Sequence, residues 1–289
     1  MIITKLHGGM GNQMFQYALG RALSLRCKVS FKLDIGTYKI KNPSVQRHYD
    51  LDVFNIVEEI AQEKEIPPLY RIGEQNPFLS KSKKLLKKIF KNKGNEKFFH
   101  FDSRVLSSGP DVYLDGYWQS PKYFEGYEDV IRKDFTLKNT PTQNIQNLAK
   151  EISEARALCI HVRRGDYVGN PDHEVVTKGY YNQCIGEISK TKSISKIYVF
   201  SDDIDWCRNN LSFSFPTMFV ENEYAGTKGE GHMFLMSLCK YFVIPNSTFS
   251  WWAAWLCSYK DKIVICPQKW FPDESIDTSN LIPKEWIRI

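Results

Sequence analysis

The residues best suited to chemistry stand where apolar runs end. Leu158, Ile160 and Val162, with Ala157 and Cys159 between them, read as a buried strand. That strand delivers His161, Arg163, Arg164, Gly165 and Asp166 to its end. Two adjacent guanidiniums at the carboxyl end of a strand suit a multiply charged anion such as a diphosphate. Surface ion pairs are the alternative for any two such arginines. Asn246-Ser247-Thr248 follows the apolar run Tyr241–Ile244 and starts the helical string Phe249-Ser250-Trp251-Trp252. A helix amino terminus offers unpaired N–H groups and partial positive charge, which also suit phosphate; simple N-capping by Ser247 or Thr248 is the plainer use. Asn12 lies in a third such place, after Gly8-Gly9-Met10-Gly11. There the backbone can approach a ligand closely, or the glycines can serve a tight turn. Asp203-x-Asp205 after the run Lys196–Ser201 matches a spacing that holds Mg²⁺ or Mn²⁺. Two arginines and a helix terminus would make such a metal redundant, so no metal is expected.

These groups need a frame of strands and helices. Residues 2–6 read as a strand, residues 14–23 keep helical apolar spacing, and residues 28–34 alternate as a second strand. This is a βαβ unit with a glycine-rich first turn, though not a Gly-x-Gly-x-x-Gly fingerprint. Val112–Gly116 reads as a strand leading into Tyr117-Trp118-Gln119. Stacking and hydrogen bonding to a sugar would suit those three residues, and a packed aromatic corner fits them equally. Asn139–Asn144 is polar and turn-rich, the best junction between two domains. Beyond it, helices at 143–154, 179–190 and 230–240 alternate with strands at 157–162, 196–201, 216–221, 241–244 and 262–266. Such alternation implies a second parallel sheet.

The 289 residues, 42% hydrophobic and 14% aromatic, allow one large or two ordinary globular domains. A formal charge of +6 is mildly basic and below the density of a dedicated nucleic-acid binder, so no nucleic-acid partner is expected. The stretch 81–97 holds eight lysines and one glutamate, with Leu85, Leu86, Ile89 and Phe90 on one helical face. It reads as a solvated basic helix, or as a helix resting on anionic lipid. Seven widely spaced cysteines without Cys-x-x-Cys argue for reduced core thiols. No apolar run is long enough for a span of about 18 residues, and no signal-peptide core precedes the fold. The expected location is cytoplasmic, with peripheral membrane contact through 81–97 as an option.

His161-Val-Arg-Arg-Gly-Asp-Tyr resembles the signature of the α-1,2-fucosyltransferases, the glycosyltransferase family that includes bacterial enzymes and the animal blood-group H enzymes. Its His-x-Arg-Arg core is similar to that of α-1,6- and protein O-fucosyltransferases. Gly8-Gly-x-Gly-Asn-Gln13, Leu114-Asp-Gly-Tyr-Trp-Gln-Ser120, Leu235-Met-Ser-Leu-Cys-Lys240, Asn246-Ser-Thr-Phe-Ser-Trp-Trp252 and Pro267-Gln-Lys-Trp-Phe271 match further family motifs in family order. One position departs. Where the family has an acid five residues before Ser237, this chain has His232, which puts a guanine contact there in doubt; Glu230 is a substitute.

The resemblance implies an α/β fold of the GT-B type, with two Rossmann-like domains facing across a cleft. Residues 1–140 would form the acceptor side and 141–289 the donor side, with the C-terminal segment packing back on the first domain. It implies transfer of L-fucose from GDP-β-L-fucose to the 2-hydroxyl of a terminal galactose with inversion, on a glycan that is a candidate for lipid linkage, and without a cofactor. Arg163, Arg164, Asn246, Ser247 and Thr248 would hold the diphosphate, and His161 with His232 the nucleoside. Asn12 would stand beside the reacting centre, and Tyr117, Trp118 and Gln119 on the acceptor. The general base stays open among Asp166, favoured by its place in the motif, Asp172 and His173. A fucosyltransferase of another linkage and a non-catalytic sugar-nucleotide or glycan-binding relative are the competing readings.

Overall fold

The computed structural model describes residues 1–39, 47–67, 88–92, 101–165, 167–169, 176–273 and 275–289, with 88–92 described by backbone alone. The chain divides into two units. Unit 1 is Met1–Lys138 with Ser275–Ile282, and unit 2 is Asn139–Glu274 with Pro283–Ile289.

Unit 1 is built on a parallel sheet. Its elements are β1 (Ile2–Lys5), α1 (Met10–Cys27), β2 (Phe31–Asp34), β3 (Lys88–Asn92), α2 (Ser103–Leu106), β4 (Val112–Gly116) and α3 (Glu128–Asp134). The sheet order is β2-β1-β4-β3. Ile2 is paired with Phe31 on one side and Val112 on the other. Most of α1 is buried, as its apolar residues on several faces require.

One expectation is corrected here. Lys88–Asn92 is a strand at the open edge of this sheet, paired with β4 from Lys88↔Val112 to Asn92↔Gly116, so no basic helix runs through 81–97. The helical spacing of Ile89 and Phe90 is overridden because β4 offers a ladder of backbone hydrogen bonds. Residues 81–87 and 93–97 lie outside the described residues.

Unit 2 comprises α4 (Gln143–Glu154), β5 (Ala157–Val162), α5 (Lys178–Ser189), β6 (Lys196–Ser201), α6 (Ile204–Asn210), β7 (Thr217–Phe219), α7 (Glu230–Ser237), β8 (Tyr241–Val243), α8 (Thr248–Leu256), β9 (Ile263–Cys266) and β10 (Ile287–Arg288). All six strands are parallel, in the order β10-β9-β8-β5-β6-β7. Every residue of β5 is buried, as in a strand covered on both faces. Leu158, Ile160 and Val162 face a core completed by Tyr181, Cys184, Ile188, Val199 and Val243. All seven cysteines are free thiols and only Cys27 is partly exposed. Among the described residues no helix is long and apolar enough to cross a membrane.

Each sheet has a point where the chain changes direction across it. In unit 2, β6 and β7 extend one way from β5, while β8, β9 and β10 extend the other. In unit 1 the corresponding place is between β1 and β4. The loops leaving two such adjacent strands diverge and open a crevice at their carboxyl ends, where open α/β sheets bind ligands.

Candidate active site: two switch points

At the switch point of unit 2, β5 hands over to Arg163 and Arg164, and β8 hands over through Asn246 and Ser247 to α8. Tyr167 Oη ties the two loops by donating to the Asn246 carbonyl at 3.0 Å. Arg163, Arg164, Tyr167, Lys178, Trp206 and Asn246 line one cavity of about 50 Å³.

The arginine turn is held by carboxylates from the end of β6. Asp202 accepts from the backbone N–H groups of Arg164 and Gly165, each at 2.9 Å, and pairs with Arg163 Nη1 at 3.1 Å. A Cβ at Gly165 would lie 2.7 Å from Asp202 Oδ2, so a larger residue there would push that carboxylate aside. Asp203 accepts from Arg164 Nε at 3.0 Å and caps α6 by accepting from Trp206 N–H at 3.1 Å. Those bonds, the one from Arg164 first, hold its carboxyl below the usual carboxylate range. The Arg164 guanidinium also lies over the Trp206 ring, 3.7 Å from its centroid. Arg164 is therefore braced on three sides, by its own N–H, its Nε and its guanidinium face. Both arginines make ion pairs, the plainer of the two sequence readings, and both also line the cavity. Of the Asp203-x-Asp205 pair, Asp203 braces Arg164 at 3.0 Å and Asp205 pairs with Arg208 at 2.8 Å.

His161 is 5% exposed, with its Nδ1 buried and unpartnered, and its ring is 5.8 Å from Phe249 of α8. Burial, then the charges of Arg163 and His232, lowers its pKa to about 3, so the ring is neutral at physiological pH. Ser247 occupies the N-cap position of α8 without making a capping side-chain bond, so the plainer capping use is not realised there. Thr248 is the first residue of the helix.

His232 is buried on α7, edge-on to Phe200 at 5.4 Å, and its Nε2 donates to the Glu221 carbonyl at 3.0 Å. Its pKa is lowered by burial, offset in part by that bond. Glu230 accepts from the N–H groups of Thr227 and Lys228 at 2.9 and 2.7 Å. Both side chains thus serve the loop before α7.

At the switch point of unit 1, β1 leads to Gly8-Gly9 and Asn12 near the start of α1, and β4 leads to Tyr117, Trp118 and Gln119. Gln119 Nε2 donates to Asn12 Oδ1 at 2.9 Å. Tyr117 is half-buried, its ring edge-on to His7 at 4.5 Å. Trp118 is 2% exposed and T-shaped against Tyr123 at 5.7 Å, which gives it the packed-corner role. The candidate bases Asp166, Asp172 and His173 lie outside the described residues.

Sequence reasoning missed Asp202, Trp206 and Tyr167 as site builders. The signal for Asp202 was present, since a Ser-Asp-Asp string ends β6, the strand beside β5. Comparison with known proteins adds the chemistry. The model of glycosyl transferase family 11 matches residues 1–289. This chain belongs to that family. It is 34% identical to an alpha-1,2-colitosyltransferase of Escherichia coli, covering 100% of this chain and 99% of that one. It is 31% identical to the O-antigen biosynthesis glycosyltransferase WbnK of Escherichia coli, covering 98% and 99%. A galactoside 2-alpha-L-fucosyltransferase of Caenorhabditis elegans is 29% identical over 53% of this chain and 44% of its own. Among solved structures, an arginine-to-lysine mutant of Arabidopsis thaliana FUT1 in complex with GDP aligns with 92% of this chain and 69% of its own, at a TM-score of 0.54 and 13% identity. The protein is thus a family 11 glycosyltransferase with an α/β fold of the GT-B type.

Proposed function

We propose that this family 11 enzyme transfers L-fucose from GDP-β-L-fucose to the 2-hydroxyl of a terminal galactose, with inversion, forming an α-1,2 linkage in a surface glycan such as O-antigen or capsule. The observation that carries the reading is the convergence of Arg163, Arg164 and the loop entering α8 on one cavity at the switch point of unit 2. The 34%-identical α-1,2-colitosyltransferase and the fucosyltransferases named above support the linkage and the class of sugar.

In a single displacement the C1–O bond to the diphosphate breaks as the acceptor oxygen bonds to C1 from the opposite face. Negative charge grows on the β-phosphate. Arg163 meets that charge first; Arg164, Ser247, Thr248 and the amino terminus of α8 add donors, with Asn246 at the cavity wall. Groups aimed at developing charge stabilise the transition state more than the ground state. Neutral His161 contacts the base or ribose without adding a positive charge, and His232 supports that side from beneath. Asn12 positions the sugar or its departing oxygen. Tyr117 offers a ring to the acceptor, with Trp118 and Gln119 behind it. Asp166 accepts the hydroxyl proton, with Asp172 and His173 as substitutes. The diphosphate charge is met by guanidiniums and helix N–H groups, so the reaction proceeds without a metal, on an acceptor that is lipid-linked at the cytoplasmic face.

Incubation with GDP-fucose and lactose, with the product linkage read by NMR, tests this. An α-1,2-fucosyl product is expected; fucose on any other hydroxyl contradicts it. The 34% identity to the colitosyltransferase favours a second reading, a colitosyl donor. Competition between GDP-fucose and GDP-colitose separates the two.

A further inference from the structure

Two features that cost stability meet at the turn after β4. Trp118 has φ +53°, a left-handed backbone that a bulky side chain rarely adopts, and its buried indole N–H has no hydrogen-bond partner. The next residue, Gln119, is 6% exposed, and its Oε1 is buried without a partner. A residue kept there for packing alone would be apolar. The turn is nonetheless fixed from both sides. Ser120 N–H donates to the Trp118 carbonyl at 2.8 Å, and Ser120 Oγ donates to the Asn280 carbonyl at 2.6 Å.

What the strained turn delivers is the other end of Gln119. Its Nε2 donates to Asn12 Oδ1 at 2.9 Å. The Asn12 carboxamide also lies against Gly8, which has φ +79° and where a Cβ would stand 2.7 Å from Asn12 Nδ2. Asn12 is thus held between an amide that contacts its oxygen and a glycine that leaves room for its nitrogen. A carboxamide can present either an acceptor or a donor to a ligand. By engaging the oxygen, Gln119 leaves Nδ2 as the donor the carboxamide can offer to a ligand.

We propose that Gln119, placed by the left-handed Trp118, is a positioning residue that fixes the orientation of the Asn12 carboxamide, so that Asn12 meets the sugar, or the oxygen leaving it, as a hydrogen-bond donor. This rests on the functional reading above for the identity of the ligand. The geometry also explains why Asn12 follows Gly8 at four residues: the glycine supplies the space the turned carboxamide fills.

The test is a double-mutant cycle in kcat with Gln119→Leu, Asn12→Ala and the pair, beside the Kd for GDP. Gln119→Leu lowers kcat by roughly 10²-fold, as a misplaced contact does, while GDP affinity stays within about twofold. In the Asn12→Ala background, Gln119→Leu has no further effect on kcat. Multiplying effects, or an equal loss of GDP affinity, would overturn the proposal. Gln119→Glu keeps the shape but presents oxygen to Asn12 Oδ1, so it covers the case of a leucine variant that does not fold, with the same predicted loss. Absence of fucosyl transfer by the wild type would defeat the functional reading instead. The clamp would then be judged on the Asn12 side-chain amide in ¹⁵N NMR. A resonance and exchange rate unchanged in Gln119→Glu would contradict it whatever the enzyme transfers.

Discussion

The two switch points solve the same geometrical problem with opposite chemistry. In both, the loops after two adjacent parallel strands are tied together, a glycine leaves room for a neighbouring side chain, and one polar group is held by another. In unit 2 the held groups are guanidiniums and the holders carboxylates: Asp202 at 3.1 Å from Arg163 and Asp203 at 3.0 Å from Arg164. In unit 1 holder and held are both amides, Gln119 and Asn12. Guanidiniums held this way suit an anion with several oxygens, whereas a clamped carboxamide suits a neutral hydroxyl or a ring oxygen. Under the proposed function, the diphosphate would meet the guanidiniums of unit 2 and the sugar the amides of unit 1.

The largest expected effect lies on the charged side. Arg163→Ala should lower turnover by ~10²–10³, the usual cost of losing a donor aimed at developing charge. Steady-state GDP release measures it. Arg163→Lys should restore only a small part, because an ammonium cannot reproduce the planar fork. A near-normal Arg163→Ala variant would break the comparison outright.

Next comes Asp202→Ala. It removes the acceptor for two backbone N–H groups and the partner of Arg163. We expect weaker GDP binding together with a stability loss of about 1–2 kcal/mol, moderate because the carboxylate is partly exposed. Calorimetry and thermal melts read the two effects. Normal stability with weak binding would assign Asp202 to the ligand directly.

Another effect concerns pH. The folded-state pKa of His161, about 3, lies below its ordinary 6.5. Between those values the unfolded chain takes up a proton that the folded chain does not. Its contribution to stability is therefore full above pH 6.5 and is lost as pH falls toward 3. Melts of the wild type and His161→Gln across that range should show a shallower slope in the variant. Parallel slopes would place the protonation elsewhere. The smallest effect is a control: Arg208→Ala, on the exposed face of α6, should change stability by less than about 0.5 kcal/mol and leave turnover intact.

Much of this was legible in the residues, for local reasons. β5 announces itself as an unbroken apolar run ending in charge, because a strand buried on both faces has no polar side to alternate with. The start of α8 is marked by Ser247 and Thr248, and α1 by its helical apolar spacing. What was not legible depends on partners distant in sequence. Asp202 reads as one carboxylate among several until β6 lies beside β5 and brings it to Arg163. The left-handed φ of Trp118 has no sequence signal, because the surrounding packing imposes it. Lys88–Asn92 reads as part of a basic helix until the sheet supplies an edge to pair with. His232 stands where the family motif has an acid, and only the structure shows its Nε2 committed to the Glu221 carbonyl.

The most direct test of the central claim is GDP release from GDP-fucose, measured with and without a β-galactoside and with and without EDTA. Release that depends on the galactoside and survives EDTA is the predicted result: a metal-free transferase in which guanidiniums and a helix terminus carry the diphosphate charge. Release abolished by EDTA would contradict the assignment of that charge to Arg163 and Arg164. Failure to bind GDP at all would mean that the switch point of unit 2 is not the donor site.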